Sequence, residues 1–362
     1  MTTALVSDLH LGTASQRDVL RREPALTAFI EALEGIDELV LLGDAIELRE
    51  IPVAGAVAAA RPVFEQIGAA MAGGRVTIVP GNHDHQLADP MIERLRARDA
   101  PLAVESVARL PASGPLAALA RALRPAEVRI AYPGVWVRDD VFATHGHYLD
   151  LHNTVPTFER IAIGAVQRVV GGLPASGRLV PDDYERAVGP VYALTYALAQ
   201  SARDGAIAGT NSSMKAWQAL NAPGSGLRSV SAKVLGGVIF PGAVAALNRA
   251  GLGPFKADLS GVELRRSALR AVGETLSRLG IDAGYAIFGH THRSGPHAED
   301  KDGWTTPSGT KLVNTGSWIV EPAFLGDEPQ RSPYWPGHMV ELEETGPPRL
   351  RRVLGEIPTP TI

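Results

Sequence analysis

Apolar positions in the first 80 residues fall into short unbroken runs separated by amphipathic stretches. Ala4-Leu5-Val6 leads into Asp8, Leu39-Val40-Leu41-Leu42 into Gly43-Asp44, and Val76-Thr77-Ile78-Val79 into Pro80-Gly81-Asn82-His83. Between them, residues 24–34 place Leu26, Phe29, Ile30 and Leu33 at helical spacing, and residues 53–71 are Ala-rich and favour helix. Continuous apolar strands alternating with helices predict an α/β layer structure whose parallel strands are covered on both faces.

Further strands are expected at residues 134–138, 141–144, 286–288 and 311–313, with 338–343 and 350–354 closing the sheet. The character changes between about residues 151 and 282. There, 184–202 and 261–279 read as helices, and 171–177 and 222–226 as loops. The expected organisation is a domain built from residues 1–150 and 283–362, interrupted by a mainly helical insertion, a lid or cap, over 151–282.

Composition narrows the chemistry. Of 362 residues, 45% are hydrophobic and 20% charged, the balance of an ordinary globular protein. A formal net charge of −4 gives no basic surface for nucleic acid, so no nucleic-acid partner is expected. With no cysteine, a metal site here must use His, Asp, Glu and Asn. The N-terminus has no basic region ahead of its apolar run, which does not read as a signal peptide. The longest apolar stretch, 234–248, is broken by Gly236, Gly237, Pro241 and Gly242 and falls short of a membrane span. A cytoplasmic protein is expected, with peripheral membrane contact left open.

Each predicted strand hands over to a loop rich in metal-capable residues. These loops are Asp8-Leu9-His10, Gly43-Asp44, Gly81-Asn82-His83-Asp84, Thr144-His145-Gly146-His147 and Gly289-His290-Thr291-His292. Ligands of open α/β sheets collect beyond the carboxyl ends of the strands. Asp8-Leu9-His10 or Gly43-Asp44 alone reads as an ordinary turn or cap, whereas Gly-Asn-His-Asp and Gly-His-Thr-His are rarer; all five in this order, each after a strand, point to a shared site.

That ordered set resembles the calcineurin-like metallophosphoesterase superfamily, with Asn314-Thr315-Gly316-Ser317 similar to the segment after its last motif. The resemblance covers roughly residues 4–150 and 283–320. It implies an α/β fold of two sheets sandwiched between helices, with the site at their C-terminal edge. It also implies that Asp8, His10, Asp44 and His292 hold a first divalent cation and Asp44, Asn82, His145 and His290 a second, Asp44 bridging. Such donors suit Mn²⁺ first, with Fe²⁺ or Zn²⁺ as alternatives. Two dications bring four charges and the two aspartates return two, leaving a surplus for hydroxide and a phosphate oxygen. The expected activity is therefore a dinuclear hydrolase cleaving a phosphoester or pyrophosphate bond by attack of metal-bound hydroxide.

Outside the ligands, His83 is the candidate acid or charge stabiliser, and Glu47 its orienting partner, with Asp84 competing for that role. His147, Tyr148, His152 and Asp150 are weaker candidates for substrate contact, each equally readable as packing. His85, His297 and His338 read as structural or exposed. The substrate is expected to be a phosphorylated small molecule or amphiphile. The opening Ser7-Asp8-Leu9-His10-Leu11-Gly12 is similar to that of UDP-2,3-diacylglucosamine pyrophosphatases. Many of those have Arg where this chain has His83, and their insertion is shorter. Residues Ile161, Ile163, Val166, Val169 and Val170 and the stretch 234–247 either line an acyl pocket or pack the insertion against itself. A non-catalytic protein-binding scaffold on the same fold is the alternative from another class; retention of all seven ligands argues against it.

Overall fold

The computed structural model describes residues 1–174, 176–201, 240–258, 260–300 and 302–355. The expected loop at 222–226 and the start of the apolar stretch at 234 lie outside them.

Strands β1 (Thr3–Val6), β2 (Glu38–Leu42) and β3 (Arg75–Val79) run parallel, joined through helices α1 (Glu23–Ala32) and α2 (Val53–Ala70). Helices α3 (Asp89–Arg96) and α4 (Pro115–Ala122) flank the short strand β4 (Glu105–Ala108) and precede the long strand β5 (Glu127–Arg138). Then come β6 (Val141–Thr144), β7 (Tyr285–Phe288), β8 (Lys311–Asn314), β9 (His338–Leu342) and β10 (Arg349–Arg352). The hydrogen-bonded path runs β10-β9-β1-β2-β3-β5-β6-β7-β8, with β4 added to β5.

Strand β5 serves two layers. Its first half pairs with β3 and β4, and its second half, from Gly134, pairs with β6. Pro133, which has no N–H to give a ladder, stands where the partners change. The burial pattern shows the sandwich. Along β1 and β2, Ala4, Val6, Leu39 and Leu41 join the apolar cluster with Phe29, Phe64 and Ile67 of the helices. The alternate residues Leu5, Val40 and Leu42 instead meet Val141 and Ala143 of β6, Ile287 of β7 and Val313 of β8. Strand side chains alternate faces, so a strand buried on both faces must be apolar at every position, as these runs are.

Most strand and helix expectations hold within a few residues. Strand β4 and the first half of β5 go beyond them, because Glu105, Glu127 and Arg129 interrupt the apolar pattern; Arg129 and Glu105 pair across the two strands.

The chain divides into two compact units. One gathers Met1–His147, the segment beginning at Tyr192, and the chain from Ile281 onward; the other gathers Tyr148–Val191 and the segment ending at Gly280. In the second unit, α5 (Phe158–Val170) starts at Thr157, whose hydroxyl accepts from Arg160 N at 3.1 Å. The first part of α6 (Pro181–Ser201), α7 (Phe240–Arg249) and α8 (Gly261–Leu279) complete it. Ser260 caps α8 and Gly280 ends it in the left-handed region. The helix α6 changes units at Tyr192, so the segment from Tyr192 to Ser201 groups with the strands. No described helix is long and apolar enough to cross a membrane.

His338 opens β9 as a buried ring whose Nδ1 donates to the Trp335 carbonyl at 3.0 Å. Burial, helped by the nearby His297 and Arg352 charges, pushes it down to about 4 despite that bond. A histidine depressed from its usual 6.5 stabilises the fold fully above that value, and loses its contribution as pH falls toward 4. Between pH 6.5 and 5 this amounts to roughly 2 kcal/mol. Denaturant unfolding at both pH values should show wild type losing about that much more than His338→Gln.

Candidate metal centre

Loops after five strands of the first unit bring the predicted residues together. Asp8 and His10 follow β1, Asp44 follows β2, Asn82 follows β3, His145 follows β6, and His290 and His292 follow β7. All but His290 and His292 are buried. Their atoms form two adjacent groups. In the first, His10 Nε2 lies 3.2 Å from His292 Nε2, 3.9 Å from Asp8 Oδ1 and 3.7 Å from Asp44 Oδ2, and His292 Nε2 is 3.3 Å from Asp8 Oδ1. In the second, His145 Nε2 lies 3.2 Å from Asp44 Oδ2 and 3.1 Å from Asn82 Oδ1, which is 3.0 Å from His290 Nδ1. Ligand-capable atoms of Asp8, His10 and His292, and of Asp44, His145 and His290, all lie within 4.8 Å of one another in their sets.

The shared residue is Asp44, through one oxygen. Its Oδ2 faces both groups, while Oδ1 accepts the His83 backbone N–H at 2.7 Å. Asp44 thus turns one oxygen toward both imidazole groups and ties the other to the chain.

The backbone is strained at these positions. Among the described non-glycine residues, those at positive φ are Asp8, His10, Gln16, Asp44, Asp99, His290 and His292. Five of them are predicted ligands, with φ between 44° and 66°. An L-residue in that region costs of order 1–3 kcal/mol, and such strain persists only where the surroundings over-determine it. Here they do. Asp8 N and His10 N donate to the Gly43 and Asp44 carbonyls at 3.0 and 2.8 Å, and His290 N donates to Asp8 Oδ2 at 3.0 Å. Ser7 Oγ bonds the same Asp8 oxygen and Thr315. Asn314 Nδ2 donates to the Gly289 carbonyl at 3.1 Å and to Thr291 at 2.9 Å, pinning the last loop. Gly43, at φ 86°, leaves room for the His145 ring that a Cβ would strike.

The donor set fits divalent cations. Asp8 Oδ1 is buried and, among the described residues, accepts no hydrogen bond, an arrangement that is costly unless positive charge faces it. Burial opposes ionisation of Asp8 and charge on His10 and His145, yet the cluster's mutual attraction outweighs it. Asp8 is lowered to about 2 by His292 and His145. His10 is raised to about 10 by Glu47, Asp44 and Asp8, and His145 to about 9 by Asp44 and Asp8. The buried carboxylates thus stay anionic against burial because imidazoles face them.

Around the cluster, Glu47 is buried and its Oε2 bonds both His83 Nδ1 at 2.7 Å and His10 Nδ1 at 3.1 Å. The His83 side chain remains 22% exposed, its ring edge-on to His10 at 4.6 Å. Asp84 takes a different part: it accepts Gly81 N, Ala45 N, Asp44 N and Ile46 N at 2.7 to 3.4 Å, bracing the two turns. His147 is buried, bonded to the Tyr132 hydroxyl at 3.1 Å. Tyr148 is buried too, its hydroxyl donating to Glu185 at 2.6 Å and its ring stacked on Tyr184. His152 bonds Tyr184 at 2.8 Å and burial pushes it down to about 4. The structure packs these weaker candidates into the protein. His85 and His338 are buried and His297 is bonded to Ser294, in keeping with structural parts.

Sequence reasoning passed over Arg49. Its Nη1 lies 2.9 Å from the Asn82 amide, its Nε donates to Thr195 at 3.0 Å, and its guanidinium sits 5.7 Å from the Tyr192 ring centroid. The only available signal was a basic residue two positions after Glu47.

Residues 1–167 match the family model described as calcineurin-like phosphoesterase. No curated protein matches the chain. Among solved structures, a dimetal phosphatase from Danio rerio is similar over 94% of this chain and 95% of that one, at 13% identity and a TM-score of 0.32. The part of the chain that carries Asp8, His10, Asp44, Asn82 and His145 is thus similar to calcineurin-like phosphoesterases.

Proposed function

We propose that the cluster holds two divalent cations, the first on Asp8, His10, Asp44 and His292 and the second on Asp44, Asn82, His145 and His290. The observation that carries this reading is the concentration of left-handed backbone strain on five of these seven residues beside the orphaned Asp8 oxygen. Bound there, the cations supply Lewis acidity toward an attacking water and the phosphoryl oxygens of a phosphoester or pyrophosphate. Mn²⁺ is the proposed occupant, with Fe²⁺ and Zn²⁺ as competitors, because the donors are imidazole, carboxylate and amide oxygen.

The protein's own part is to position and to move a proton. Glu47 holds His83 by Nδ1, which leaves Nε2 to protonate a leaving oxygen or to stabilise phosphoryl charge. The partial exposure of His83 suits contact with an incoming substrate. Asp44 Oδ1, tied to His83 N, couples the bridging carboxylate to the same turn.

The insertion over 151–282 is proposed to choose the substrate, with Tyr192–Ser201 counted among the catalytic unit. Part of its apolar stripe packs inward, Ile163 and Val244 being buried, which supports a packing role there. Val169, 86% exposed, and Val180 and Val262, each 50% exposed, keep an amphiphilic substrate as the second reading, of the UDP-2,3-diacylglucosamine kind.

Three measurements test these assignments. Asp44→Asn should bring metal content, by elemental analysis, from two per chain to near zero and abolish hydrolysis; two retained metals would remove the bridging role. His83→Ala should keep both metals while slowing poorly activated esters by about 10²–10⁴-fold, and activated aryl esters far less. Equal rates before and after on the poor leaving group would end its role as acid. A substrate panel assayed with Mn²⁺ should include nucleotide pyrophosphates, phosphomonoesters, soluble diesters and lipid-linked pyrophosphates. Preference for the lipid-linked compounds supports the amphiphile reading, and equal rates on soluble diesters discard it.

A further inference from the structure

Asn314-Thr315-Gly316-Ser317 supplies none of the seven predicted ligands, yet Thr315 reaches Asp8 through a single intermediary. Thr315 follows β8 and Ser7 follows β1, and their hydroxyl oxygens lie 2.6 Å apart across 308 positions of sequence. Both residues are buried. Ser7 Oγ in turn bonds Asp8 Oδ2, the oxygen that also accepts the His290 backbone N–H at 3.0 Å. Gly289 permits this crowding, since a Cβ there would strike Ser7 Oγ and Asp8 Oδ2.

The direction of these bonds follows from counting protons. Each hydroxyl has one hydrogen to give. Ser7 Oγ faces two groups that only accept, the ionised Asp8 carboxylate and the Gly316 carbonyl at 3.1 Å. The carboxylate is charged and the carbonyl is not, and a hydroxyl makes its stronger bond to an anionic oxygen. The Ser7 proton therefore goes to Asp8, and the contact with Thr315 requires Thr315 to donate. The other acceptor near Thr315 Oγ1, the Phe288 carbonyl, stands at 3.4 Å, beyond the usual reach of an O–H···O bond. Thr315 thus gives to Ser7 and Ser7 to Asp8, each bond polarising the next. Two donors take Asp8 Oδ2, whereas Oδ1 of the same carboxylate accepts none among the described residues.

We propose that Thr315 and Ser7 form a hydroxyl relay that positions Asp8, occupying Oδ2 so that Oδ1 alone is offered to the first cation. This deepens the two-metal reading and rests on it. Ser7 and Thr315 are positioning residues, since they act on the site through Asp8. Thr315 acts on Asp8 only by way of the Ser7 hydroxyl, so its own hydroxyl matters only while that of Ser7 is present. Plain packing at the two positions has no such dependence.

The test titrates Mn²⁺ calorimetrically into the metal-free full chain, with bound metal counted by elemental analysis. Ser7→Ala should weaken one of the two binding events about 10–100-fold, the range for losing a partner that orients a metal ligand. Thr315→Val, which keeps the shape and removes the hydroxyl, should weaken the same event by a smaller factor, and Thr315→Ser should restore it. A chain carrying both Ser7→Ala and Thr315→Val should lose no more than Ser7→Ala alone, because a relay without its middle link has nothing further to give up. Losses that multiply in the double variant overturn the relay, as does wild-type Mn²⁺ affinity in the folded single variants. Should thermal melting show that Ser7→Ala does not fold, Thr315→Val set against Thr315→Ser carries the decision. A wild-type chain that binds no Mn²⁺ overturns the two-metal reading and the relay with it, whereas two bound Mn²⁺ with affinities unmoved by the substitutions overturn the relay alone.

Discussion

Asp44 is a carboxylate removed from water, with one oxygen on the His83 backbone and the other set between imidazoles from different loops. Burying such a charge alone is prohibitive, and the cost is offset only by cationic partners held at short range. His145, His83 and His10 hold it well below the usual carboxylate range against the opposing effect of burial. The fold around it follows from this demand. Three parallel strands deliver Asp8, Asp44 and Asn82, and β6 and β7 of the second sheet deliver His145 and the two later imidazoles. Neither layer holds the full set, so the sandwich and the site are one construction.

The strained turns express the same constraint in backbone terms. Left-handed conformations turn the chain sharply straight after a strand, so a side chain one or two residues beyond the sheet edge can point back to a common centre. Asp8, Asp44 and His290 do this from three different strands. Ser7, Asp84, Asn314 and Thr315 supply the hydrogen bonds that hold those turns. Strain is thereby spread over a network, which is how a site can stay organised across loops that share no sequence neighbourhood.

The catalytic unit was readable in the sequence for a physical reason. A strand buried on both faces has to be apolar throughout, and a metal-binding turn has to carry His, Asp or Asn at its tip, so the two signals abut and mark each other. Leu39–Leu42 followed by Gly43-Asp44 is the clearest case. Strand β5 was only half legible, because Glu127 and Arg129 are satisfied by neighbouring strands rather than by solvent. From their place beside His145, His147 reads as a candidate substrate contact and Tyr148 as a candidate for the pocket rim. Their burial depends on Tyr132 and Glu185, partners far enough along the chain that no local pattern announces them. Arg49 was missed on the same grounds: its meaning lies in Thr195 and Asn82, not in its flanks.

Glu47 links the two kinds of residue. One oxygen holds His10, a predicted metal ligand, and His83, the predicted acid; the other takes the Arg49 backbone N–H. Burial would raise this carboxyl, yet the His83 and His10 charges and bonds hold it well below its ordinary value, so it stays anionic. A single buried anion therefore fixes the tautomer of two imidazoles and the start of the turn that carries a guanidinium. Replacing it by a neutral amide would keep the shape but remove the charge that makes Nδ1 the protonated nitrogen in both rings. The geometry thus ties His10, His83 and the start of the Arg49 turn to one buried carboxylate.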